Sequence, residues 1–232
     1  MTTFVLVPGA WLGGWVWDGV AEDLRGRGHQ VVPVTLSGLG ERADVPPERV
    51  GLQDHVSDVL TALDDLRDVV LVGHSYAGIV AGQAADRAPN QVAHTVFVDA
   101  NLPHNGMSIT DGWSDAGRRF VRDQVDENGG RWPAPEPGDF DGHDLTAEQA
   151  EWLADRATGH PGRTLFEPVA LRRPVTALDA TYIACTLPAR EMPPDVAAAR
   201  GGGWAFVALD TGHWPMVSAP AALADLLHEA SS

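Results

Sequence analysis

Short apolar runs alternate along the chain with longer stretches in which apolar residues recur at helical spacing. Continuous runs such as Phe4–Val7 and Val69–Val72 are typical of strands that are buried on both faces. Between them, Leu52–Leu66 carries apolar residues three or four positions apart, as an amphipathic helix does. Parallel neighbouring strands need a crossover, usually a helix. The alternation therefore predicts an α/β fold with a mostly parallel sheet covered by helices.

This pattern places the elements as follows. The predicted strands are Phe4–Val7, His29–Thr35, Val69–Val72, Val92–Val98, Ala180–Cys185 and Trp204–Leu209. The predicted helices are Trp17–Arg25, Leu52–Leu66, Tyr76–Arg87, Asp195–Arg200 and Ala219–Glu229. Pro33, in the second strand, is typical of an edge strand or of a strand end because proline cannot donate to a ladder.

The segment from Leu102 to Pro174 interrupts the alternation and is rich in Trp, Pro, Gly, Asp and His. A long insertion after the carboxyl end of a strand is typical of a lid over a site. We therefore predict one core, formed by residues 1–101 and 175–232, and a lid over residues 102–174. Within the lid, Asp139–Asp144 is predicted to be a solvated loop and not a metal site. No other part of the sequence shows residues at the spacing of metal ligands.

Charge and composition limit the classes of partner and of chemistry that fit this chain. The 232 residues carry a formal net charge of −16, which argues against nucleic acid and anionic membranes as partners. All 16 basic residues are arginines, so lysine-based covalent chemistry is excluded. The single cysteine, Cys185, excludes an intrachain disulfide and is predicted to be buried in a strand. Without a signal-peptide pattern or a bilayer-spanning apolar stretch, a cytoplasmic protein is expected, and a homodimer is possible.

Ser75 lies in Gly73-His74-Ser75-Tyr76-Ala77-Gly78, directly between a predicted strand and a predicted helix. This is the context of a nucleophile elbow, in which a strained turn presents a serine hydroxyl above a sheet. Ala77 replaces the last glycine of the strict motif. A serine needs an adjacent base, and His213, in the loop after the last predicted strand, is the candidate. His74 is expected to line or pack near the turn and not to act as the base.

An oxyanion hole is predicted where the first strand meets the small-residue loop Pro8-Gly9-Ala10-Trp11-Leu12-Gly13. The expected donors are the backbone N–H groups of Ala10 and of Tyr76, the residue after the nucleophile. Gly9, Trp11, His74 and Trp214 are predicted to line the substrate pocket, with Tyr76 and Trp113 as further aromatic candidates.

These three ordered motifs together resemble the α/β-hydrolase superfamily, and within it the methylesterase and hydroxynitrile lyase branch with its bacterial relatives. The resemblance implies an α/β-hydrolase fold, a Ser–His–acid triad and no cofactor or metal. The lyases of this branch carry Thr in the oxyanion loop and Lys after the catalytic histidine, where this chain has Gly9 and Trp214. Hydrolysis of a small apolar or aromatic carboxylic ester is therefore expected. A C–C lyase, a lactonase, a natural-product tailoring enzyme or a non-catalytic ligand receptor on this fold remain alternatives.

The catalytic acid is where this chain departs from the family. The usual aspartate follows the strand after the lid, where this chain has Pro188. Asp99 ends the strand before the lid, a position that carries the acid in haloalkane dehalogenases, and Glu191 lies a few residues beyond the usual site. Asp99 is the favoured candidate, with Glu191 or no functional acid as alternatives.

Overall fold

The computed structural model describes residues 1–189 and 191–230. Six parallel strands form the main sheet in the order β2-β1-β3-β4-β7-β8, and a separate antiparallel pair is formed by β5 and β6. The strands are β1 (Thr3–Val7), β2 (Gln30–Pro33), β3 (Val69–His74), β4 (Val92–Val98), β5 (Arg131–Trp132), β6 (His160–Pro161), β7 (Ala180–Cys185) and β8 (Ala205–Leu209). The predicted α/β class and the six core strands are confirmed, and Pro33 does end an edge strand.

Helices cover both faces of this sheet. They are α1 (Asp18–Gly26), α2 (Leu52–Leu63), α3 (Ala77–Arg87), α4 (Asp115–Glu127), α5 (Ala147–Arg156), α6 (Arg163–Phe166), α7 (Pro194–Gly201), α8 (Pro215–Ser218) and α9 (Pro220–Glu229). Helix α2 is three residues shorter than predicted. Asp64 leaves the helical conformation and Asp65 adopts a positive φ of 64°, which no helix accommodates.

Alternating side chains of each strand enter two different cores. In β1, Phe4 and Leu6 pack with α1 and α9, whereas Val5 and Val7 pack with α2 and α3. This follows from the two-residue period of a strand, and it explains why strands buried on both faces show continuous apolar runs. Cys185 is buried in β7 as predicted.

The inserted segment, residues 102–174, connects two strands that pair with each other, β4 and β7. It contains α4, β5, α5, β6 and α6. None of the helices in the described part of the chain has both the length and the apolar character needed to cross a bilayer.

Arg131 joins the inserted segment to the loop that follows β2. Its Nη1 donates to the carbonyl oxygens of Gly38 and Gly159, both at 2.8 Å. Its Nη2 donates to those of Ala43 at 2.9 Å and Val45 at 2.8 Å. One guanidinium thus satisfies four carbonyl groups, which its fixed fork of donors allows.

We expect Arg131→Met to lower the free energy of unfolding by about 2–4 kcal/mol, because four carbonyl groups lose a charged donor at once. Urea unfolding measures the change. Arg119→Met is the control, since Arg119 is exposed on α4 and has no hydrogen bond or ion pair among the described residues. Equal stability of the two variants would contradict the assigned role of Arg131.

Candidate active site

Ser75 lies at the turn between β3 and α3, at the carboxyl edge of the sheet. It adopts a φ of 53°, a region that residues other than glycine rarely enter. Backbone bonds hold this conformation: the Ser75 N–H donates to Val98 O at 3.2 Å, and Ser75 O accepts from the N–H of Asn101 at 3.0 Å. Such strain persists only where the surrounding structure enforces it, and it is concentrated at functional sites.

Small residues are required around this turn. A Cβ at Gly9 would lie 2.9 Å from the Cβ of Ser75, and a Cβ at Gly78 would collide with Asn101 O. Gly9 therefore contacts the turn directly and leaves room for the backbone of the β1 loop to approach Ser75.

His213 and Asp99 complete a hydrogen-bonded series with Ser75. The distance from Ser75 Oγ to His213 Nε2 is 2.9 Å, and that from His213 Nδ1 to Asp99 Oδ2 is 2.5 Å. A carboxylate only accepts, so Nδ1 carries the proton and the lone pair of Nε2 faces the serine hydroxyl. The side chain of His213 is 20% exposed and that of Asp99 is 2% exposed, so the series runs from a buried carboxylate to the half-buried Ser75.

The two acid candidates occupy different places. Asp99 follows β4 with a φ of 45° and points its carboxylate at His213. Glu191 is exposed, lines a cleft together with Asp99, Cys185 and Thr186, and has no hydrogen bond or ion pair with His213 among the described residues.

His74 is buried beside the turn, which agrees with the expected packing near it but not with a position that lines an open pocket. It is 1% exposed, and its Nε2–H donates to the backbone oxygen of His213 at 2.7 Å. Burial, reinforced by the charge of a protonated His213, lowers the pKa of His74 to about 3. The neutral ring therefore supports the loop that carries His213.

The expected oxyanion donors are the N–H groups of Ala10, after β1, and Tyr76, after Ser75. Neither the Ala10 N–H nor the Tyr76 N–H has a hydrogen-bond acceptor among the described residues. Tyr76 Oη, by contrast, lies 2.9 Å from His55 Nδ1 in the interior. The backbone N–H of Tyr76 can thus donate to a ligand, while the tyrosine side chain is held by its hydrogen bond to His55.

Besides the cleft that Asp99 and Glu191 share, two further clefts lie beside the site. One of about 360 Å³ is walled by Trp11, Trp132 and Trp214, with Phe120 and Asp139 also lining it. The rings of Trp11 and Trp132 lie 4.1 Å apart. Sequence reasoning missed Trp132 because β5 is too short to produce a recognisable period.

The second cleft, of about 470 Å³, begins beside the turn at Ala100 and Asn101 and is lined largely by apolar residues, including Ile79 and Trp113. Trp113 thus lines this second cleft, and its ring lies 5.9 Å from that of Trp132.

The sequence predicts a solvated loop over Asp139–Asp144. In the structure this loop instead packs against the loop that carries His213. Phe140 is 2% exposed and lies 4.7 Å from the ring of Trp214. The N–H of His213 donates to His143 Nδ1 at 3.4 Å. Within the described residues, no cluster of three or more His, Cys, Asp or Glu side chains could hold a metal ion.

Buried neutral histidines make the fold sensitive to acid. Burial lowers the pKa of His55 to about 4 and that of His160 well below its ordinary value, as it does for His74. In the unfolded chain these rings regain a pKa near 6.5. Unfolding therefore takes up protons below pH 6.5, and acid favours the unfolded state.

We accordingly expect the free energy of unfolding to fall between pH 7 and pH 5. Below pH 6.5 each of these rings contributes about 1.4 kcal/mol per pH unit. Urea unfolding at three pH values in this range measures the slope of the unfolding free energy against pH. Replacing one of these histidines with glutamine is expected to reduce that slope by about 1.4 kcal/mol per pH unit. An unfolding free energy that is constant over this range would contradict the assignment.

Comparisons with known proteins agree with this architecture. A family model described as the alpha/beta hydrolase family matches residues 4–226. A solved extracellular α/β-hydrolase from a Paenibacillus species superposes with a TM-score of 0.87, covers 99% of each chain and is 24% identical, which shows the shared fold.

Curated relatives match one part of the chain. Over 111 residues it is 44% identical to a carbendazim hydrolyzing esterase of Nocardioides sp. (strain SG-4G), covering 47% of this chain and 46% of that protein. Over 104 residues it is 39% identical to methylesterase 7 of Arabidopsis thaliana, covering 43% and 40%. The chain thus spans less than half the length of these two relatives. The predicted resemblance is confirmed by the family model, which extends from the first strand to the last helix: the chain belongs to the alpha/beta hydrolase family.

Proposed function

We propose that this chain is a serine hydrolase that cleaves carboxylic esters of small apolar or aromatic substrates through an acyl-enzyme intermediate. The observation that carries the proposal is the hydrogen-bonded series from Asp99 through His213 to Ser75. Its members come from the ends of three different strands, and their order in the chain, with the serine before the histidine, matches the family.

In the first half of the reaction, Ser75 Oγ attacks the ester carbonyl carbon and His213 Nε2 takes the hydroxyl proton. Asp99 holds the other ring nitrogen protonated and stabilises the imidazolium that forms. The carbonyl electron pair moves to its oxygen, which accepts hydrogen bonds from the N–H groups of Ala10 and Tyr76. Each such donor lowers the barrier by about 3–4 kcal/mol.

In the second half, the tetrahedral intermediate collapses and the alcohol leaves with the proton from His213. Water enters, gives a proton to His213 Nε2 and attacks the acyl carbonyl. The carboxylic acid departs and Ser75 regains its proton, so the cycle uses neither cofactor nor metal.

The lining of the two clefts supports the substrate class. Tryptophan rings wall the cleft beside Trp11 and Trp214, and apolar side chains dominate the cleft beside Ile79. Aromatic walls favour flat apolar groups, because ring stacking adds to the burial of apolar surface. The similarity to a carbendazim hydrolyzing esterase and to a methylesterase supports small esters, and we propose methyl esters of aromatic acids as the first substrates to test.

The test is a product assay with methyl benzoate, methyl phenylacetate and methyl acetate. Ester hydrolysis releases acid and methanol in equal amounts, and the aromatic esters are expected to show the higher kcat/KM. Saturable binding without release of either product would support a ligand receptor and contradict the proposal.

A further inference from the structure

The backbone at Trp11 has an unusual conformation next to an expected oxyanion donor. Its φ is 67°, although tryptophan has a bulky side chain that disfavours this region. The Ala10 N–H lies in the Gly9–Ala10 peptide, and the Trp11 N–H lies in the next peptide along the chain. Anchoring the Trp11 N–H therefore restricts how the neighbouring peptide, with the Ala10 N–H, can rotate. Something must hold this turn in place.

The inserted segment holds it from both sides. The Trp11 N–H donates to His160 Nδ1 at 3.4 Å. Trp11 O accepts from the N–H of Thr158 at 2.9 Å and from its hydroxyl at 3.3 Å. Both polar groups of Trp11 are thus bound by residues almost 150 positions away in the sequence.

The hydrogen bonds of Thr164 fix the tautomer of His160. Thr164 Oγ1 donates its proton to Pro161 O at 2.7 Å. The same hydroxyl lies 2.8 Å from His160 Nε2 and therefore accepts from it. Nε2 carries the ring proton, and the lone pair of Nδ1 faces the Trp11 N–H. His160 is fully buried, and the charged form of the ring is disfavoured there.

The same ring also contacts Tyr76, whose N–H is the second expected donor. The rings of His160 and Tyr76 lie 4.6 Å apart in an edge-to-face arrangement. On the far side, Tyr76 Oη donates to His55 Nδ1, since His55 Nε2–H donates to Ser37 O at 2.8 Å. One imidazole therefore contacts both the Tyr76 ring and the Trp11 N–H, which is next to Ala10 in the chain.

We propose that His160 is a positioning residue that holds the Ala10 and Tyr76 N–H groups at the spacing an oxyanion requires, with Thr164 fixing its tautomer. This inference rests on the proposed function. The oxyanion exists only in the transition state and the intermediate, so losing this arrangement lowers kcat and leaves KM nearly unchanged.

The first variant is Thr164→Val, which keeps the side-chain shape and removes the acceptor for His160 Nε2–H, together with the hydrogen bond of that hydroxyl to the Tyr76 side chain. The ring can then adopt the other tautomer, which places a donor against the Trp11 N–H. We expect kcat to fall by about 10- to 100-fold with KM unchanged, part of the loss seen when an oxyanion donor is removed. Thr181→Val is the matched control. It removes the same kind of bond, from Thr181 Oγ1 to His94 Nε2 at 2.9 Å, near the opposite edge of the sheet, and is expected to keep the wild-type kcat.

A second pair of variants separates positioning from packing. His160→Asn retains an acceptor near the place of Nδ1 and is expected to keep most of the kcat. His160→Gln places its amide nearer to Thr164 and leaves the Trp11 N–H unpaired, so its kcat is expected to fall as in Thr164→Val. Urea unfolding of all variants measures the structural contribution, and if neither His160 variant folds, the Thr164 and Thr181 pair decides.

Wild-type and Ser75→Ala proteins are assayed beside these variants. Turnover that depends on Ser75, together with wild-type kcat in Thr164→Val, would overturn the role of His160 and leave the proposed function intact. Equal losses of kcat in the Thr164 and Thr181 variants would also overturn it. No turnover by the wild-type protein would contradict the proposed function itself.

Discussion

Ser75→Ala is expected to lower kcat for ester hydrolysis by about 10⁶-fold, to the background of the assay. Alanine removes the Oγ that lies 2.9 Å from His213 Nε2 and leaves the backbone of the turn in place. The remaining groups still bind an ester and polarise its carbonyl, but no nucleophile on the protein can form the acyl-enzyme. Initial rates with an aromatic methyl ester at saturating concentration measure the loss.

Ser57→Ala is the control for this prediction, because Ser57 is exposed on α2 and its hydroxyl bonds only within its own helix, to Gln53 O. Its kcat is expected to equal that of the wild type. Substantial turnover by purified Ser75→Ala would show that the ester is cleaved by a different group.

Asp99→Asn is expected to lower kcat by about 10⁴-fold while the protein keeps its stability. The asparagine amide can donate to His213 Nδ1, which stabilises the tautomer with the proton on Nε2. That nitrogen then cannot take the proton of Ser75, and the imidazolium loses its anionic partner. The effect falls on kcat because both defects act in the transition state.

Glu191→Gln makes the same chemical change at the alternative acid. Glu191 is exposed and has no hydrogen bond or ion pair with His213 among the described residues, so the kcat of the variant is expected to stay within about twofold of wild type. Loss of activity in Glu191→Gln with full activity in Asp99→Asn would contradict the assignment of Asp99.

The sequence predicted the core well because its strands are buried on both faces. Runs such as Val69–Val72 produce a strong signal, and the turn to Ser75 follows from strand, small residues and helix in order. The positions of Asp99 and His213 at strand ends also follow from the alternation, because the carboxyl ends of parallel strands share one edge of the sheet.

In the inserted segment, the short strands and the long-range contacts were not predicted. Strands β5 and β6 have two residues each, too few for any periodicity to register. Hydrogen bonds from His160 to Trp11 and from Arg131 to Gly38 attach this segment to the core. They join residues about 100 to 150 positions apart in the sequence. A positive φ at Trp11 is set by these contacts and leaves no local trace, because tryptophan is not a residue that favours such a turn.

The choice between Asp99 and Glu191 likewise needed three dimensions. Both are carboxylates near the carboxyl edge of the sheet, and the sequence does not show which of them is bonded to His213. In the structure, Asp99 is buried and bonded to His213, whereas Glu191 is exposed in the loop after β7.

The most direct measurement of the central claim, that Ser75 is an activated nucleophile, is covalent labelling with a fluorophosphonate followed by peptide mass spectrometry. The account predicts one adduct per chain, located on Ser75, absent from Ser75→Ala, slowed in Asp99→Asn and unchanged in Glu191→Gln. An unmodified Ser75 in the folded wild-type protein, or equal labelling of Ser75→Ala at another residue, would contradict it.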